Sequence, residues 1–363
     1  MNPFAIVALG ALGIAAVHKL LSRSEQNNMA DLQKQFDAFH DDIKLSNENE
    51  LLRQKREILK QNLEAALKNN DDAPSVDKYF LQGSYATYTG INPANGDYDI
   101  DVGVLFDCTK DDIGAMKLKK LVKEALEHSS RSPVIKNPCI TTQYIKNGDP
   151  DYHVDMPIYV KRDDSVGYDL AWGKSSSSED WVQSDPEGLN DEINGKYSND
   201  SERYQFRRIV KYLKAWKSKK FSSYTVPSIG LCLAAMDHFS SEIDTYEDTP
   251  NDLIALRKTI SNIITSFKPV GINDNGESQY RLKVILPVMP ANDVFEKLTD
   301  RQMTELKEKL ESLKEALVYA EKEERVDKGC KEIKKHLPDF PVPLASETAK
   351  ATAISINNTG SSS

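Results

Sequence analysis

Three aspartates and a Gly-Ser pair are the residues whose types and spacing suggest chemistry in this 363-residue chain. Asp99 and Asp101 stand two apart in DYDIDVGVLFD, so the side-chain alternation of a β-strand places both carboxylates on one face. Gly83 and Ser84 form a small turn just upstream, in QGSYATYTG. Carboxylates on a rigid strand beside such a turn are suited to holding divalent metal ions against a triphosphate.

A third carboxylate follows on another predicted strand, in YHVDMPIYV. There Asp155 alternates with apolar residues, and the preceding turn signal NGDPD predicts a hairpin between strands at Cys139–Ile145 and Tyr152–Val160. His153 shares the face of Asp155, but a histidine on a strand more often hydrogen-bonds a neighbour. We therefore leave it out of the predicted catalytic set.

The overall charge argues against a protein that binds nucleic acid without sequence preference. Lys and Arg number 47 against 56 Asp and Glu, a net charge of -9, so the surface as a whole does not attract a polyanion. The four cysteines are far apart, with no Cys-x-x-Cys pair and no zinc-like His spacing. The four cysteines are therefore interpreted as reduced structural thiols of a cytosolic protein.

The amino terminus carries an uncharged apolar stretch, Met1–Val17, in a chain that is 28% charged. A helix that spans a membrane needs about 20 residues, and this stretch is that long only if it is extended to residues 1–21. Because Lys19 and Arg23 follow it, the stretch predicts an anchor within residues 1–28 and a protein body on the cytoplasmic side of the inner membrane. The alternative is that translation starts at Met29, which leaves a cytoplasmic protein.

The remaining chain is predicted to be mainly helical outside the strands. Apolar residues at helical spacing predict helices within Asp31–Leu67, Met116–Glu127, Arg203–Lys220, from Ser228 to about Phe239, and from Glu296 onward. The helix over Arg203–Lys220 has a basic face, with eight Lys or Arg residues.

Two segments lack such a pattern. The polar stretch Lys161–Asp200 is predicted to be a long, mobile loop region whose Trp172 and Trp181 either stack on a base or pin the loop to the body. The small polar tail, residues 346–363, is predicted to be disordered.

Gly83-Ser84, then Asp99-x-Asp101, then Asp155 on an apolar-alternating strand resemble, in that order, the polymerase-beta-like nucleotidyltransferases. Within that superfamily QGSYATYTG, DYDIDVGVLFD, YHVDMPIYV and WVQSDPEGL are similar to the bacterial cGAS/DncV-like nucleotidyltransferases (CD-NTases) of CBASS antiphage systems. The resemblance runs from about residue 29 to 343. The apolar leader departs from typical soluble members.

The resemblance implies an α+β fold, in which a polymerase-beta-like nucleotidyltransferase sheet is flanked by helices. It implies a nucleotidyltransferase (palm) domain with amino-terminal helices at 29–200 and a helical domain closing the nucleotide cleft at 201–345. It also implies that Lys214, in YLKAWK, and Ser228, in VPSIGL, contact the donor triphosphate.

The implied function is Mg²⁺-dependent, template-independent synthesis of a cyclic di- or trinucleotide messenger from ATP and other NTPs. Asp99, Asp101 and Asp155 would bind two Mg²⁺ ions, with Mn²⁺ as an alternative, and Gly83 and Ser84 would contact the nucleotide. Some relatives need a HORMA-type partner and others are active alone. No stable nucleic-acid partner is expected, and a membrane contact would come through residues 1–21.

Three other classes stay open at this point. A protein-modifying (adenylylating) nucleotidyltransferase could use the same residues, but such enzymes are generally much smaller. A template-independent RNA nucleotidyltransferase is disfavoured by the net charge, and a membrane adaptor by the complete acidic triad.

Overall fold

The computed structural model describes residues 31–45, 50–92, 98–129, 131–146, 149–164, 166–244 and 247–344. The predicted anchor at residues 1–28 and the predicted disordered tail at 346–363 lie outside these ranges. Within them, no helix is both long enough and apolar enough to cross a membrane.

The predicted α+β architecture is confirmed. The helices are α1 (Gln33–Ile43), α2 (Glu50–Lys68), α3 (Gly83–Ala86), α4 (Ala115–Leu126), α5 (Pro186–Gly195), α6 (Asp200–Lys220), α7 (Ser228–His238), α8 (Asp252–Thr265), α9 (Asp300–Lys322) and α10 (Val326–Lys334). The strands are β1 (Val76–Leu81), β2 (Tyr98–Thr109), β3 (Arg131–Ile135), β4 (Ile140–Lys146), β5 (Asp149–Met156), β6 (Ile158–Lys161), β7 (Tyr168–Trp172), β8 (Asp180–Ser184), β9 (Lys268–Ile272) and β10 (Ser278–Arg281).

The long strand β2 organises an eight-stranded mixed sheet with the order β3-β4-β5-β2-β6-β7-β8, and β1 also pairs with β2. Its apolar face is buried as the alternation predicts, at Ile100, Val102 and Val104. These side chains pack on α2 and α4, whose leucines complete one hydrophobic core. The aspartate face of β2 is thereby directed to the other side of the sheet.

Pro157 divides the second strand of the predicted hairpin into β5 and β6. The hairpin itself is confirmed, since β4 and β5 pair antiparallel. A proline has no N–H to donate to a ladder, but the Pro157 carbonyl accepts from the Val104 N–H at 3.0 Å. Both β5 and β6 pair parallel with β2, so one continuous stretch of chain covers most of its length.

The prediction of a mobile loop over Lys161–Asp200 is wrong. This stretch contains β7, β8 and α5, and the two strands extend the sheet edge beyond β6. Asp185 caps α5 by accepting from the Gly188 N–H at 2.9 Å, and Pro186 occupies the first turn. An Asp-Pro pair is a readable helix start, but the polar composition of the surrounding sequence obscured it.

Most of the helices from α5 to α10 share a second hydrophobic core. The amino-terminal helix α1 belongs to this core, because Phe36 and Phe39 pack against Tyr212 and Phe340. The buried Asp252 of α8 joins the same elements, accepting hydrogen bonds from Arg208 Nε at 2.6 Å and Tyr212 Oη at 2.7 Å. The helices α1, α6 and α8 are thus tied together, while the predicted domain boundaries stay predictions.

Candidate active site

The Gly83-Ser84 turn leaves β1 directly beside the aspartate face of β2. Gly83 has φ +67°, and a Cβ placed on it would lie 2.5 Å from the Asp101 Oδ2 atom. The left-handed conformation and this close approach both require a residue without a side chain. Glycine therefore lets the backbone of the turn lie against the Asp101 carboxylate.

Parallel pairing of β2 with β5 brings two of the three predicted carboxylates side by side. Asp101 is the register partner of Asp155, and Asp99 is the partner of His153. Partners in a parallel ladder project to the same face, so the Asp101 and Asp155 side chains lie on one face of the sheet. The Asp155 carboxylate accepts a short hydrogen bond from the Thr141 hydroxyl on β4, which fixes its orientation. The side chain of Asp99 lies outside the described part of the structure.

The donor set fits a hard divalent ion at the level of chemistry. Asp101 and Asp155 supply carboxylate oxygens from adjacent strands, the ligands that Mg²⁺ prefers. No group of three or more His, Cys, Asp or Glu side chains is placed to hold a metal among the residues whose side chains the structure describes. Asp99, the third predicted ligand, is not among them, so the two-ion site stays a prediction.

Lys214 projects from α6 toward the segment that follows the Gly-Ser turn. Its ammonium is buried and donates to the Thr89 carbonyl at 2.8 Å and to the Thr89 hydroxyl at 3.1 Å. The Thr89 hydroxyl lies 2.9 Å from the Thr87 hydroxyl, and the Thr87 hydroxyl donates a hydrogen bond to the Gly83 carbonyl. Burial lowers the pKa of Lys214 to about 8, an effect that Lys217 reinforces and Asp101 opposes. Lys214 is thus connected to the Gly83 turn by a short polar chain.

Ser228 is the first residue of α7, and its hydroxyl has a cationic partner that the sequence analysis missed. Lys217 Nζ donates to Ser228 Oγ at 2.6 Å and to the Val226 carbonyl at 3.1 Å. Burial lowers the pKa of Lys217 as well. Its position three residues after Lys214, on the same side of a helix, was a signal that could have identified it.

A cavity of about 340 Å³ brings together four predicted nucleotide contacts, Gly83, Ser84, Lys214 and Ser228. Much of the remaining wall is apolar and comes from α5 and from residues 286–290. Asp101 and Asp155 are not among the lining residues, but Gly83 joins the cavity to Asp101. The tryptophans do not line it: Trp181 packs on the sheet core and Trp172 on a small cluster around Tyr159. This agrees with the interpretation that they hold their segment to the body.

The comparisons with known proteins agree with the resemblance to the polymerase-beta-like nucleotidyltransferases stated from the sequence. Residues 77–159 match the family model described as Cyclic GMP-AMP synthase DncV-like, nucleotidyltransferase domain. The resemblance stated from the sequence is confirmed by this match, which covers the part of the chain that carries the candidate site.

Individual relatives agree with this placement. A "Cyclic GMP-AMP synthase" of Escherichia albertii is 27% identical over 179 residues, which is 46% of this chain and 38% of that protein's length. The structure is also similar to that of Vibrio cholerae DncV with GTP and 5MTHFGLU2, at a TM-score of 0.65 and 16% identity, covering 89% of this chain and 97% of that one. For E. coli MS115-1 CdnC with ATP the TM-score is 0.61 and the identity 17%, covering 85% and 98%. At these low sequence identities, the similarity to the solved structures is evidence for the fold alone.

Proposed function

We propose that this protein is a template-independent nucleotidyltransferase that makes a cyclic di- or trinucleotide messenger from NTPs in a Mg²⁺-dependent reaction. The observation that supports it best is the Gly83 turn, which lies against Asp101 and opens into a cavity shared with Lys214 and Ser228. The names of the relatives mention cyclic GMP-AMP synthesis, GTP and ATP. ATP and GTP are therefore the substrates to test first.

In this proposal Asp99, Asp101 and Asp155 would hold two Mg²⁺ ions, with Mn²⁺ as a substitute. Such ions, when bound, stabilise the attacking and leaving oxygens of an in-line displacement at the α-phosphate. Asp155, oriented by Thr141, accepts the proton of the attacking hydroxyl.

The other predicted contacts act on the donor triphosphate. The backbone of Gly83 approaches the phosphates closely, and the Ser84 hydroxyl donates to them. Lys214 and the Ser228 hydroxyl neutralise and orient the departing pyrophosphate. For this the Lys214 ammonium exchanges Thr89, its partner in the structure, for a phosphate oxygen.

The biological setting is proposed from the resemblance alone. It would be CBASS antiviral signalling, either with a HORMA-type partner or without one. If residues 1–21 anchor the chain, the site faces the cytoplasm, where NTPs are available. Fractionating cells that express the full chain, and sequencing the amino terminus of the recovered protein, distinguishes an anchored chain from one that starts at Met29.

Incubation of the purified protein with labelled ATP, GTP, CTP and UTP and Mg²⁺ tests the activity. A phosphatase-resistant cyclic product is expected, and Asp99→Asn with Asp101→Asn should abolish it while the protein stays folded. The matched control is Asp71→Asn with Asp72→Asn, which removes the same charge at two exposed positions after α2. Label transferred to a protein, or a growing RNA, would identify one of the alternative classes instead. Wild-type product formation by the Asp99, Asp101 variant would refute the metal-site assignment.

A further inference from the structure

Helix α6 carries more cations than the candidate site uses. Within the described part of the chain, Arg203, Arg208 and Lys219 have acidic partners. The other five have no ion pair there, and four of these recur every three or four residues along one side of the helix, at Arg207, Lys211, Lys214 and Lys217. At 1.5 Å per residue this row extends for about 15 Å. Lys214 and Lys217 belong to the candidate site. Arg207 and Lys211, one to two turns closer to the start of the helix, have no role in it.

Lys211 is half-buried among other bases. Its Nζ lies 3.4 Å from His40 Nε2 at the end of α1. Burial, together with the charges of Arg207, Lys44, Lys214 and Arg208, lowers the pKa of Lys211 to about 8. Burial and the same basic surroundings lower the pKa of His40 to about 4, so its ring is neutral near pH 7. The nearby carboxylate of Asp41 is exposed and bonded to Lys44. Partly buried charges are normally paired, but Lys211 has no acidic partner among the described residues, so this basic group can take an anion.

Tyr88, beside the same cations, adopts a conformation that is unusual for a bulky residue. Its φ is +59° and its side chain is 63% exposed. The Arg207 guanidinium lies over the ring, 4.5 Å from the centroid, and Arg207 Nη2 donates to Asn194 Oδ1 at 3.0 Å. Non-glycine residues held in this left-handed region often occur at ligand-binding places. An exposed ring stacked on a guanidinium is also a surface on which a nucleobase can stack.

We propose that Arg207, Lys211 and Tyr88 form a second anion-binding site, which takes a free nucleotide. Its phosphates bind between Arg207 and Lys211, supported by Lys44, and its base stacks on Tyr88. The site is separate from the cavity of the candidate active site, whose lining includes none of these residues. It adjoins that cavity through Thr89, which follows Tyr88 and holds Lys214. A nucleotide bound at this second site would therefore change the position of Lys214, the predicted contact of the donor triphosphate.

Calorimetric titration of the full-length protein with a non-hydrolysable ATP analogue and Mg²⁺ tests this. A background with Lys214→Ala and Ser228→Ala first weakens the predicted donor contacts. Adding Arg207→Gln and Lys211→Gln should lower the number of bound analogues by one, or weaken one binding step about tenfold to a hundredfold. Adding Lys219→Gln, an exposed cation on the same helix, should change neither.

Two further measurements keep the result interpretable. The Arg207, Lys211 variant should have an unchanged or higher Tm, because it removes like charges that repel each other. Tyr88→Ala, at an exposed position, should weaken binding of the ATP analogue at this step but not of inorganic pyrophosphate, which has no base to stack.

Identical titrations for the Arg207, Lys211 variant and the Lys219 control would overturn the proposal. Binding of single-stranded oligonucleotide, but not of the mononucleotide, in an Arg207- and Lys211-dependent manner would overturn the assignment to a free nucleotide. Because the readout is binding, a failed synthesis assay leaves this site standing.

Discussion

Replacing Gly83 by alanine should damage activity far more than stability. The residue has φ +67°, and an added Cβ would lie 2.5 Å from Asp101 Oδ2, closer than the 3.0 Å below which real Cβ contacts are essentially absent. The left-handed conformation costs a residue with a side chain about 1–2 kcal/mol. With an unfolding entropy of about 2.1 cal/mol/K per residue, a 363-residue protein would lose roughly 1–3 °C in Tm.

The larger consequence is chemical. To restore ordinary contact, the Asp101 carboxylate or the turn must shift by about 1 Å, and a misplacement of this size can cost on the order of 10²-fold in rate. We therefore expect Gly83→Ala to lose about a hundredfold in nucleotide incorporation, measured with labelled NTPs well below its Tm.

Two other glycines serve as controls that separate the effect of the left-handed conformation from the effect of the close contact with Asp101. Gly276 has φ +81° with nothing near its added Cβ, so Gly276→Ala should lower Tm and leave incorporation unchanged. Gly195 has neither a positive φ nor a close neighbour, and Gly195→Ala should change neither quantity. If Gly83→Ala behaves like Gly276→Ala in both assays, the close approach to Asp101 has no role in the reaction.

Three further outcomes are expected. Lys217→Met should raise the KM for ATP about tenfold, because Ser228 loses its charged partner, whereas Lys219→Met should not; equal effects of the two would show a general charge effect. The pKa of Lys214 is lowered from 10.5 to about 8, so its ammonium is charged below that pH, and kcat/KM for ATP should fall as the pH rises through about 8; a Lys214→Met variant that shows the same fall would place the titrating group elsewhere. Asp252→Asn should destabilise the helical core by about 3 kcal/mol, because it removes the charge of a fully buried carboxylate that accepts hydrogen bonds from Arg208 and Tyr212; thermal unfolding that matches the wild type would contradict this.

Much of the candidate site could be predicted because its parts are local. Alternation predicted the buried face of β2, the NGDPD turn signal predicted the hairpin of β4 and β5, and helical spacing predicted the buried side of α6. The prediction for residues 161–200 was wrong because the structure of this segment depends on non-local contacts. Its strands β7 and β8 are short and are the last two of the sheet, where burial comes from neighbouring elements rather than from a strong apolar pattern in the sequence.

By itself the sequence determined the chemical types, their order and the strand or helix on which each lies, because periodicity and turn preferences act over a few residues. Only the tertiary structure decided which of them meet. The register of β2 with β5 sets Asp101 beside Asp155, and packing of α6 on the segment after the Gly-Ser turn brings Lys214 to Thr89. Such contacts join residues far apart in the chain, so they depend on the fold as a whole and leave no local signal.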